Sequence, residues 1–87
     1  MQDPFSPRWF CTPDGGSLYA LTAPDQLLEH QRIGTRHAVH ELKAATFADR
    51  LRISDLLEGA AAGQLLELTL AEYERRLVDM AATPRIG

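Results

Sequence analysis

The sequence predicts an α+β fold, mainly helical, with an N-terminal β-hairpin packed on three or four short helices. Pro13-Asp14-Gly15-Gly16 is a turn signal between two strand-favouring runs. Apolar residues recur at helical spacing between Leu27 and Ala45 and again between Leu70 and Ala81. Thr22, Thr46, Ser54 and Thr69 each stand where a helix would be capped. The chain has 87 residues, enough for one small domain. A domain of that size hides only about 60–65% of the surface its unfolded chain exposes, so its core is small.

Residues 1–7 read as an extended or disordered arm, with two prolines and little pattern. Residues 8–22 read as the hairpin. Trp9, Phe10, Cys11 and Thr12 favour a strand, and Ser17 to Thr22 alternates, with Leu18, Ala20 and Thr22 on one face and Tyr19 and Leu21 on the other. A lone hairpin is marginal in water, so it must pack on a helix or extend a sheet.

Residues 23–82 are expected to be helical. In Thr22-Ala23-Pro24-Asp25 a cap, a proline near the first turn and an acidic residue open the first helix. Leu27, Leu28, Gln31, Thr35, Ala38, Val39, Leu42 and Ala45 continue it at helical spacing. The favoured reading is one helix from about 24 to 45; the alternative is two pieces with a turn at Ile33-Gly34-Thr35. Thr46 would cap a short helix from Phe47 to Arg52, and Ser54 a second from Asp55 to Ala62, with Gly63 as its stop. Residues 64–68 are short enough to be extended. Thr69 and Glu72 form a capping box for a last helix over about 70–82, with Leu70, Tyr73, Leu77 and Ala81 as its stripe and Val78 widening it. Residues 83–87 read as a flexible tail.

The net charge of −3 excludes binding to nucleic acid through the overall field of the chain. One cysteine, Cys11, excludes an intrachain disulfide and a zinc site built of cysteines alone. With no apolar run long enough to span a bilayer and no leader pattern, a cytoplasmic location and no membrane partner are expected.

His30, His37, His40 and Glu41 fall on the first expected helix, and imidazoles with a carboxylate can hold a transition metal. Their order departs from the His-Glu-x-x-His pattern of zinc proteases, which removes that specific claim. Ala48, Leu51, Ile53 and Ser54 stand at helix-turn-helix positions. The would-be recognition helix, Asp55 to Ala62, carries no Arg, Lys, Asn or Gln to read bases. Nucleic acid remains as an alternative through a dimer that pools Arg32, Arg36, Lys43 and Arg52. No catalytic residues are assigned: Cys11 has no orienting partner nearby in sequence, and neither the serines nor Gly15-Gly16 sit in a nucleophile or phosphate-loop context. No cofactor and no small-molecule substrate are expected.

What remains is apolar supply. The chain carries 13 leucines and 12 alanines, many of them after residue 54. The expected function is therefore a non-catalytic protein–protein interaction module, an adaptor, assembly factor or subunit that joins a second copy or a larger assembly. Leu56, Leu57, Leu65, Leu66, Tyr73 and Leu77 are its candidate contacts, with Trp9 and Tyr19 as aromatic anchors. Most of these could serve the internal core equally well.

Overall fold

The computed structural model describes residues 5–81. They form a five-stranded antiparallel sheet and two helices, in the order β1 (Arg8–Cys11), β2 (Ser17–Ala23), β3 (Gln26–Ile33), β4 (Arg36–Lys43), α1 (Phe47–Ala61), β5 (Leu66–Leu68) and α2 (Leu70–Ala81). The mainly helical expectation is thus corrected: the fold is α+β, but the sheet dominates and the helices number two. Most of the expected arm and all of the expected tail lie outside the described residues.

The first hairpin forms as the sequence predicts. Gly15 donates its N–H to Thr12 O at 2.9 Å and takes a φ of 76°. Asp14 Oδ1 accepts from Thr12 Oγ1 at 2.6 Å and from the Gly16 N–H at 2.9 Å. Those bonds favour the ionised carboxyl and hold Asp14 below the usual carboxylate range.

The expected first helix is instead two strands. Thr22-Ala23-Pro24-Asp25 is not a helix cap. Ala23 pairs with Gln26 across a turn made by Pro24 and Asp25, and the register shifts between Leu21 and Ala23. Neither turn residue has a positive φ, so the turn lacks the twist of the primed hairpin types, and the extra residue, Thr22, makes up the difference. Ile33 then pairs with Arg36 across Gly34-Thr35, with Gly34 at a φ of 64°. A glycine at the first position of a two-residue turn closes a tight hairpin, and a helix would not hold it in that conformation.

The strands order as β4-β3-β2-β1-β5. Trp9, Cys11, Leu18, Ala20, Leu28 and Leu68 pack beneath Tyr73, Leu77 and Met80 of α2 on one face. Tyr19, Leu21, Leu27 and Leu42 pack with Ile53, Leu56 and Leu57 of α1 on the other. Arg8 lies over the Phe10 ring at 5.0 Å and grips Glu67 through two hydrogen bonds, which ties β1 to β5.

The two short helices expected at 47–52 and 55–62 merge into α1, which runs unbroken through Ile53 and Ser54. No helix-turn-helix turn exists there. Thr46 caps α1 by accepting from the Asp49 N–H at 3.2 Å, and Gly63, φ 81°, ends it. The capping box of α2 forms in both directions: Glu72 N–H to Thr69 Oγ1 at 3.1 Å, and Thr69 N–H to Glu72 Oε1 at 2.9 Å. Its inward stripe is Tyr73, Leu77 and Met80, leaving Leu70 and Val78 exposed. Among the described residues, no helix is long and apolar enough to cross a membrane.

Candidate functional site

Strands β3 and β4 carry the chemistry the sequence singled out. Alternation sends His30 and Arg32 of β3, and His37, Val39 and Glu41 of β4, to the face that α2 covers in part. His40 goes to the opposite face, across from Glu29. The four candidate metal ligands are therefore split. His30 and His37 meet; His40 and Glu41 do not join them, and among the described residues no three His, Cys, Asp or Glu groups converge to hold a metal.

The pair that does meet is built into the core. His30 is only 6% exposed, and its Nε2 lies 2.8 Å from Tyr73 Oη on α2. Its Nδ1 lies 3.1 Å from His37 Nε2, with the two rings stacked. A neutral imidazole has one donor and one acceptor, so the chain of bonds runs in one direction, from Tyr73 to His37 or the reverse. Burial, and then the neighbouring His37, push His30 below the ordinary imidazole range. Burial likewise pushes the Tyr73 phenol up. Both groups are thereby favoured in their neutral forms, and they dock α2 on the sheet. Beside them Arg32 Nη2 donates to Asp79 O at 2.7 Å, which satisfies a carbonyl at the helix C-terminus.

The four candidate nucleic-acid contacts are spread out. Arg32 is bound to α2, Arg36 flanks the β3–β4 turn, Lys43 ends β4, and Arg52 lies on α1 with Nη2 3.3 Å from Glu29. The structure does not gather them into one patch.

The eight candidate contact residues serve mainly as internal packing. Tyr73 is buried. Trp9 and Leu77 lean on the core under α2, while Tyr19, Leu56 and Leu57 lean on the core under α1. Leu65 is half-buried and Leu66 is exposed. Leu66 apart, the apolar side chains left in solvent are others, among them Ile33, Val39, Phe47, Leu51, Leu70 and Val78.

Next to His37 the sheet of the described residues stops. Strand β4 is eight residues long, pairs among the described residues only with β3, and lies at the end of the strand order. Ala44 donates its N–H inward to Asp25 O at 2.7 Å. Alternation then turns the N–H and C=O groups of His37, Val39, Glu41 and Lys43 outward, away from the sheet. A helical reading of the segment hides this open edge. The one local signal for it is the Gly34-Thr35 turn, since neither flanking strand alternates strictly between polar and apolar residues.

Two shallow pockets lie against α2, one of about 120 Å³ lined by Leu18, Arg32, Arg76, Asp79 and Met80, and one of about 310 Å³ lined by Glu72, Arg75, Arg76 and Asp79, the larger only at the lower end of the range that small-molecule sites occupy. Comparison with protein-family models, with curated proteins and with solved structures finds no match to this chain.

Proposed function

We propose that this protein is a non-catalytic protein–protein interaction module, and that it joins its partner by strand addition at the β4 edge. The observation that carries the reading is the edge itself. Sheet edges are templates for pairing, and proteins that do not use them shorten them, bulge them, break them with proline or charge them; β4 carries Arg36, Glu41 and Lys43, but its centre, Ala38-Val39, is apolar. The other edge, β5, is three residues long, whereas β4 has eight. No proline or bulge interrupts β4, and the register shift of the sheet lies between Leu21 and Ala23 of β2. Strand addition takes its affinity from main-chain hydrogen bonds and its specificity from alternate side chains, here those of His37, Val39 and Glu41. The reducing cytoplasm suits the module, because its single cysteine, Cys11, is a buried free thiol.

Val39→Pro tests the reading. It removes an outward N–H donor without touching the bonds between β4 and β3. Solution mass is measured across concentration for the purified protein and for the protein in native lysate. A species heavier than one chain that disappears with Val39→Pro supports strand addition. A heavier species that Val39→Pro leaves intact, or a single-chain mass under both conditions, contradicts it.

A further inference from the structure

We infer that the strand added at β4 is the β4 of a second copy, antiparallel, with Val39 facing Val39 across a two-fold axis. The inference rests on the strand-addition reading and names its partner and register.

The geometry limits the choices. A two-fold axis perpendicular to the sheet keeps each face continuous, so residues that oppose each other must point to the same face. Only a few registers then place β4 fully against itself. Centred on Glu41, two carboxylates collide. Centred on His40, the imidazoles face each other, Val39 meets a carboxylate and His37 meets Lys43. Centred on Ala38, Val39 meets His37, and Glu41 falls opposite Thr35 in the turn. Centred on Val39, the two valines meet, and His37 of each copy stands opposite Glu41 of the other. That register also sets Ala38 against His40 and Arg36 against Leu42, with no like charges opposed. The outward main-chain groups of His37, Val39 and Glu41 then bond to those of Glu41, Val39 and His37.

The surroundings leave room for it. α2 packs on β1, β2, β3 and β5, leaving the β4 end of its face uncovered by any comparable contact. Val39 is 56% exposed there, an apolar side chain beside open main-chain groups. Glu41 has one competing partner, Lys43 Nζ at 3.8 Å on the same strand, with both side chains well exposed. Such a pair is worth little and does not hold Glu41 away from a second copy. His37 is already oriented by its bond to His30 Nδ1 at 3.1 Å, so less freedom is lost on pairing.

The test uses the purified full chain, its mass followed by sedimentation from micromolar to millimolar concentration. The expected result is a monomer–dimer equilibrium that Val39→Lys abolishes. Glu41→Lys, which replaces the carboxylate opposite His37 with an ammonium at two symmetric places, should weaken it on the order of tenfold. Opposed strand residues of this kind have Cα atoms about 5.5 Å apart, within disulfide range, so Val39→Cys should cross-link the dimer under mild oxidation while Ile33→Cys should not. A purified chain that stays monomeric throughout overturns self-pairing. So does a dimer that Val39→Lys leaves intact or that Val39→Cys fails to link. If the purified chain is monomeric but a species sensitive to Val39→Pro forms in lysate, self-pairing fails and strand addition to another protein stands.

Discussion

His30 has two ring nitrogens, and both are engaged, one by Tyr73 and one by His37. Deleting the phenol leaves a buried imidazole nitrogen without a partner, which typically costs about 1–3 kcal/mol. Tyr73→Phe should therefore lower the chemical denaturation midpoint without changing the sheet signature in circular dichroism; an unchanged midpoint would remove the network from the account. The depressed ionisation of His30 has a definite sign. The unfolded chain, with an imidazole near 6.5, binds the proton more readily than the folded one. The contribution of His30 is whole above about pH 6.5 and declines as pH falls from there through the lower folded value. Denaturation at pH 7.5 and pH 5.5 should show the lower stability at the acidic value, with the difference shrinking in His30→Gln. Equal slopes in the two proteins would assign the pH effect elsewhere. The histidine cluster was visible in the sequence as residue types, but its role was not. Tyr73 is 43 positions from His30, and only the sheet brings them together.

The β3–β4 hairpin shows where local reading fails. Eleven of its sixteen strand residues are Gln, Leu, Glu, Arg, Ala or Lys, which favour helices, and its apolar members also happen to fit a helical stripe. What overrides propensity is pairing along both strands, closed by a turn that needs Gly34. A Cβ at Gly34 meets nothing within 4 Å, so the penalty of Gly34→Ala is one of backbone conformation alone. That substitution should cost about 1–2 kcal/mol in thermal or chemical denaturation. A neutral result would mean the turn is not held at positive φ. The last helix was legible because its signals are local: the Thr69–Glu72 box and a stripe of apolar residues. Thr69→Ala should cost about 1 kcal/mol and raise amide exchange over the first turn of α2; unchanged exchange there would deny the cap its part. The first hairpin was legible for the same reason, since Pro13 to Gly16 specify their own turn. The union of two expected helices into α1 was not. Ser54 can cap a helix, yet here it sits exposed inside one, next to Ile53, the buried residue of the helix.

Across the molecule, the expectation of surplus apolar surface takes a different form from the one the leucines suggested. Leu56 and Leu57 lean on the sheet, and the exposed apolar groups are scattered, with Ile33 and Val39 on the outer hairpin. The larger unmet demand is polar: the outward main-chain groups of β4, which composition cannot reveal and topology does. Amide hydrogen exchange along β4, followed residue by residue by NMR, tests this most directly. In dilute protein the inward amides of Ala38, His40 and Leu42 should be protected and those of His37, Val39 and Glu41 should exchange fast; as concentration rises, the second set should become protected as well. Outward amides already protected in the dilute protein would contradict the open edge, and outward amides that stay fast at every concentration would mean the edge takes no strand from a second copy.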